Sequence, residues 1–287
     1  MLNIQKILIN ACMSDARRAY RSLYGQGDDE ILNQALFAGH LALENIANSD
    51  TLYHDVQHTI MVSSAGFSIL KGKHLREGGV SQRDWLHFVI ACFCHDIGFV
   101  QGVCRNDSRE VFSTGYADGS VHPRTGSSDA QLGPWHVDRS KQFVLERFNG
   151  EATPLIDAQL VADMIEFTRF PVTEASEQNT GGRLGPLVRA ADLIGQLGDP
   201  QYLRKIPALY YEFMEIGSLA DMGYEDPDQM RRKYGDFFRC FIHPHITEAL
   251  DHLSVTEEGR RWAATLFSHV YRVDRLSSAE TCPSAGA

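Results

Sequence analysis

The sequence predicts an all-α fold, a single compact multi-helix bundle. Apolar residues recur at three- and four-residue spacing through ten segments, alternating runs of β-branched residues are scarce, and no linker or internal repeat divides the chain. With 287 residues, 43% of them hydrophobic, there is material for one large core. The 27 basic and 37 acidic residues leave a net charge of −10, which argues against nucleic acid or an anionic membrane as the main partner. No apolar run reaches the ~20 residues needed to span a bilayer. The first ten residues are too interrupted for a secretory signal, so the cytoplasm is the expected compartment. The cysteines suit it: their spacing is not that of a disulfide framework, and Cys92, Cys94 and Cys240 lie in apolar segments, as reduced core thiols do.

Helices are expected over 12–24, 30–48, 58–72, 83–98, 138–148, 154–168, 186–197, 201–217, 227–250 and 256–274. The first two form an N-terminal extension, 1–49, to a core of about 50–250. Segment 83–98 holds Trp85 to Cys94, apolar almost all round, and reads as a buried helix. Segment 186–197 is opened by Pro186, which suits a first helical turn. Glycine and proline mark two long loops, 99–135 and 171–186, and loops of that length are functional or mobile. The single domain is expected to end at residue 276, with a small, polar, disordered tail over 277–287.

Three clusters carry chemistry. Tyr53-His54-Asp55-Val56-Gln57-His58 places two histidines four apart, hence on one face of a helix, either as two ligands or as a ligand and an acid/base group. His95-Asp96-Ile97-Gly98 ends the buried helix, where an ionisable pair is costly unless paired or metal-bound. Imidazole beside carboxylate suits zinc, iron or manganese. The alternative is a His-Asp helix cap with Gly98 in the left-handed turn. Asp192 stands alone in an apolar helix, either as a further ligand or paired with Arg189.

This ordered set resembles the HD-superfamily metal-dependent phosphohydrolases, and most closely the catalytic domain of the cyclic-nucleotide phosphodiesterases. Their Tyr-His-Asn-x-x-His motif is similar to Tyr53–His58. Their Thr-Asp-Met and Ala-Asp-Ile/Leu segments are similar to Ala162-Asp163-Met164 and Ala191-Asp192-Leu193. Glu212-Phe213 and Phe237-Phe238…Ile242-His243-Pro244 echo a Glu-Phe pair and a Phe-Ile…His-Pro stretch. The segments around Trp135–Ser140 and Gly185–Arg204 also resemble an uncharacterised bacterial HD-domain group.

The resemblance implies two divalent metal ions (zinc, magnesium, manganese or iron), with His58, His95, Asp96 and Asp192 on the first and Asp96 bridging to the second. It implies attack on phosphorus by a metal-bridged hydroxide, with His54 as the general acid, on a small phosphate ester such as a nucleotide phosphodiester. The sequence departs from the pattern in three places. Phe99 stands where a histidine is usual, Asp55 where asparagine is usual, and Tyr234 where a glutamine clamps the purine; Phe237 keeps the base-stacking position. His136 and Asp163 are weaker candidates, as groups behind the ligands or against the substrate. Counting His122 and His136 as ligands gives the six-ligand set of HD-type di-iron oxygenases, an alternative chemistry. A catalytically silent, nucleotide-binding HD module is the other.

Overall fold

In the computed structural model, which describes residues 2–117, 119–172 and 181–280, Asn3 caps helix α1 (Ile4–Tyr24) by accepting a hydrogen bond from the Lys6 amide. The helix therefore starts eight residues before the periodicity predicts. Its first turns leave Ile4 and Ile7 exposed, so they carry no apolar stripe to read. Helix α2 (Asp29–Ile46) follows, capped by Asp28. Asp55 then caps α3 (Val56–Glu77), accepting from the amides of Gln57 and His58. His54 thus precedes the helix rather than riding on it, a correction to the shared helical face expected from the spacing.

A capping box between Ser81 and Asp84 opens α4 (Gln82–Cys94), and every side chain from Trp85 to Cys94 is buried, as its all-round apolarity predicts. The helix stops at His95, and Ile97–Phe99 form one 3-10 turn. Gly98 does not adopt the left-handed cap conformation. It is glycine because a Cβ there would lie 1.9 Å from the carbonyl oxygen of His136.

The stretch expected as a loop over 99–135 has structure of its own. Phe112–Ser113 pairs antiparallel with Ser120–Val121, and Asp129–Trp135 is a 3-10 segment. Arg139, fully buried and ion-paired with buried Asp107, donates to the carbonyls of Gly98 and Val100 and holds the start of this stretch against the bundle. Of the second long loop, residues 173–180 lie outside the described residues.

The chain continues through α5 (His136–Phe148), α6 (Ala158–Glu166), α7 (Gly185–Leu197) and α8 (Tyr202–Ile216). The helix expected over 227–250 is instead broken: short helices at Pro227–Arg232 and Tyr234–Phe237, a π-helical turn Phe238–Ile242, then α9 (His243–Leu253). Pro244 in the first turn of α9 lacks the amide that a continuous helix requires. Cys240, on the π turn, is exposed, against the expectation of a core thiol; Cys92 and Cys94 are buried as expected. The last helix, α10, runs from Glu257 to Glu280, four residues into the expected tail, and 281–287 lie outside the described residues.

Helix α3 runs through the middle, packing most extensively on α7 and also on α1, α4 and α9. The α3–α7 crossing is close because glycine permits it: a Cβ on Gly195 would sit 2.5 Å from Cα of Val62. That crossing brings the first turn of α3, with His58, to the middle of α7, with Asp192. Helix α4 ends beside both and delivers His95 and Asp96. Among the described residues no helix is long and apolar enough to cross a membrane.

Candidate metal centre

The side chains of His58, His95, Asp96 and Asp192 meet where α3, α4 and α7 converge. The two Nε2 atoms are 3.3 Å apart. Asp96 Oδ2 lies 3.1 Å from Nε2 of His58 and 3.0 Å from Nε2 of His95. Asp192 Oδ1 lies 3.4 and 3.5 Å from the same two atoms. His58, His95 and Asp96 are each under 5% exposed, whereas the Asp192 side chain is 18% and His54 17%, so the cluster opens on the His54–Asp192 side.

Hydrogen bonding fixes which atoms face inward. His95 Nδ1 is 2.9 Å from the carbonyl oxygen of Cys92, which can only accept, so Nδ1 carries the proton. In the neutral ring this leaves Nε2 as a bare lone pair, pointed at two carboxylate oxygens. Asp96 Oδ2 is itself buried with no hydrogen-bond partner among the described residues. Lone pairs held this close repel unless a cation lies among them. The spacing also suits one. Bonds of about 2.0 Å in a tetrahedron give donor–donor edges of about 3.3 Å, and bonds of about 2.1 Å in an octahedron give about 3.0 Å. His58, His95 and Asp192 form a group able to hold a metal ion, and so do His54, His58 and Asp96.

The charge balance says the same. Burial would lower the pKa of His58, but Asp192 and Asp96 outweigh it and hold the ring up at about 9. His95 is likewise raised well above its ordinary value, burial being overcome by Asp96 and Asp192. Burial would raise both acids, yet His95 and then His58 pull Asp96 well below the carboxylate range and Asp192 to about 2. The two carboxylates stay charged and demand positive charge, which the chain on its own meets only by protonating imidazoles.

His54 is oriented by Glu212 of α8, a residue 1% exposed. His54 Nδ1 is 2.5 Å from Glu212 Oε2, while Oε1 of the same carboxylate accepts from the amides of Tyr53 and His54 at 2.5 and 3.2 Å. Burial opposes protonation of His54, but the Glu212 charge outweighs it and the net shift is upward. The ring therefore turns Nε2 toward the cluster, its centroid 5.3 Å from that of His58.

His136 faces the other carboxylate oxygen, its Nε2 3.8 Å from Asp96 Oδ1, with Nδ1 donating to the Gly133 carbonyl at 2.5 Å. Burial lowers its pKa, so this Nε2 is a neutral lone pair. The His95-Asp96 turn is pinned from α5: Ser140 Oγ donates to the His95 carbonyl at 2.7 Å and accepts from the Gly98 amide at 2.9 Å.

The remaining candidates fall elsewhere. Asp163 accepts from Gln159 on its own helix and belongs to neither metal-holding group. Tyr234 is buried against Tyr202 and Phe238, its hydroxyl without a partner among the described residues. Phe237 is half-buried between Phe170 and Phe241. His122 is exposed on the hairpin. Glu212 as the anchor of His54 was not read from the sequence, although an acid at the apolar spacing of Ile206 and Leu209 signals it.

An all-α bundle whose helices converge on a buried, open-sided His/Asp cluster able to hold a metal ion is thus the class of protein at hand. The chain belongs to the Npun_R2479-like family, whose model matches residues 2–276. No curated protein matches it.

Proposed function

We propose that the chain is an HD-type metal-dependent phosphohydrolase that cleaves a phosphate ester, in the first instance a nucleotide phosphodiester, with His54 as general acid. The observation that carries this reading is the orphaned Asp96 Oδ2 between two imidazole nitrogens, with His54, its pKa raised by Glu212, beside it. His58, His95, Asp96 and Asp192 would hold one divalent ion, and Asp96 Oδ1 with His136 Nε2 face the place of a second. Bound there, zinc, magnesium, manganese or iron would neutralise phosphoryl charge and bring the pKa of a bound water toward neutrality.

The protein's own part is positional and acid–base. Glu212 keeps His54 protonated and aimed, so that Nε2–H can be given to the departing ester oxygen. The Cys92 carbonyl holds His95 in the one tautomer that presents a lone pair. The exposed edge at His54 and Asp192 leaves room for a substrate to approach. The oxygenase reading needs a sixth ligand, and the exposed position of His122 leaves that set one short.

Metal content of protein purified without chelator, with hydrolysis of a generic phosphodiester, a phosphomonoester and cyclic AMP in the same preparation, tests the reading. About two metals per chain with diesterase activity is the expected result. Two irons and oxygen-dependent turnover without hydrolysis would transfer the assignment to an oxygenase, and metal-free protein would leave a binding module.

A further inference from the structure

Phe99 takes no part in the chemistry above, yet it touches two of its groups. It ends the 3-10 turn that follows Asp96 and is 2% exposed. Its ring stacks on His54, with centroids 4.7 Å apart and planes 13° from parallel, and on His136, at 4.5 Å and 21°. The phenyl ring thus lies nearly parallel to both imidazoles and in contact with each.

Each imidazole is tied by its Nδ1 alone, His54 to Glu212 and His136 to the Gly133 carbonyl. One hydrogen bond fixes a point on a ring and leaves its tilt about that bond free. A flat face packed against the ring removes the tilt, and stacked rings retain it through contact over their whole area. Phenyl suits the place for a second reason: it has no lone pair and does not compete with Asp96 Oδ1 and His136 Nε2 for a cation.

The turn beneath Phe99 is rigid, since the Gly98 amide donates to Ser140 Oγ and Arg139 Nε donates to the Gly98 carbonyl at 2.6 Å. Phe99 and His136 therefore share one block built on α5, whereas His54 arrives from the segment before α3. We propose that Phe99 is a positioning residue that locks His54 to the His136 block, so that the two imidazoles hold one relative orientation. The effect on turnover rests on the phosphohydrolase reading; the effect on the rings does not.

Phe99→Leu keeps apolar volume and removes the flat face, with Phe99→Met as a second variant should the first fail to fold. Ring carbon–proton correlation spectra of the full-length, metal-loaded protein are the first readout. Loss of the Phe99 ring current shifts both imidazole signals in any case, so the quantity read is ring order. The C–H order parameter of the His54 ring is expected to fall while those of His87 and His252 stay. Turnover of a phosphodiester is the second. An expected fall of about 10- to 100-fold in kcat, at nearly unchanged KM, is the scale of a small misplacement of reacting groups. In a His54→Ala background the same change should add little further loss. An unchanged His54 ring order parameter overturns the proposal whatever the activity, and so does wild-type kcat or a fully additive loss in the double variant. If the wild-type protein hydrolyses nothing, the phosphohydrolase reading fails by itself, and the His54 ring order alone decides the role of Phe99.

Discussion

Helix α3 carries a buried histidine beside two carboxylates at each end, and the two clusters differ in the burial of the acids and in the source of positive charge. Asp96 and Asp192 are at most 18% exposed, Glu77 and Glu248 41% and 59%. At its start, His58 and His95 face Asp96 and Asp192 within 3.5 Å, and no lysine or arginine is ion-paired with either acid in the described structure. At its end, His252 of α9 lies 3.8 Å from Glu77 and 3.4 Å from Glu248, and here Lys73 supplies the charge, its Nζ 2.7 Å from Glu77. The histidines respond in opposite directions. His58 and His95 are raised by their acids, whereas His252 is lowered, by burial first and by Lys73 next. A cluster with its own ammonium is closed in charge. One without it, with its acids buried, is able to hold an ion.

The largest effect that can break this comparison is on metal content. Asp192→Asn should release the ion and cost at least about 100-fold in activity, a loss that outer-shell partners alone can cause. Lys73→Met, at the other end of the same helix, should leave metal per chain unchanged. Equal metal loss from both variants, measured by elemental analysis, would show that the start of α3 is not special.

Next in size is the proton. His54→Ala should lower turnover by about 10²- to 10⁴-fold with the metal retained. Glu212→Gln should do less and should move the pH profile. The acid must be protonated, so the alkaline limb follows the pKa of His54. Removing the Glu212 charge takes away the largest force raising that pKa, and the limb should shift to lower pH. An unmoved limb would remove Glu212 from the mechanism.

Much of this was legible in the sequence, and the part that was not has a physical reason. Helical periodicity reports which face is buried, so it found the helices but not where His54 leaves α3 or where the π turn interrupts 227–250. Polar residues at apolar positions, as with His58, His95, Asp96 and Asp192, stand out because burial of a charge needs explaining. The same signal was present for Glu212. Phe99 and Ser140 carry no such mark: an aromatic in an apolar turn and a serine in a helix look ordinary until ring stacking and a backbone anchor give them work.

Removing the metal gives a third test, now on stability. In the stripped chain protonated His58 must stand in for the ion. Its folded pKa of about 9 exceeds the ordinary ~6.5, so that stabilisation is complete below about pH 6.5 and is lost as pH rises through about 9. Chelator-treated protein should therefore lose melting temperature between about pH 7 and 9 relative to the loaded form. Parallel curves for the two forms would mean that the carboxylates do not hold the ion.

The smallest effect belongs to the other end of α3, and its sign is opposite. His252 is 1% exposed, neither ring nitrogen has a well-formed hydrogen bond among the described residues beyond the 3.4 Å approach to exposed Glu248, and its folded pKa is below the ordinary value. Its contribution is present above about pH 6.5 and lost as pH falls, because the unfolded chain binds the proton more readily. His252→Phe substitutes an apolar ring where only the long contact to exposed Glu248 is given up, so stability near neutrality should stay within about 1 kcal/mol of wild type. The acid-side decline in denaturation midpoint should become shallower, with metal content untouched. A large loss at neutral pH would mean that His252 is held by a hydrogen-bonding partner such as an ordered water, and that the cluster beside Lys73 is not closed by its own charges.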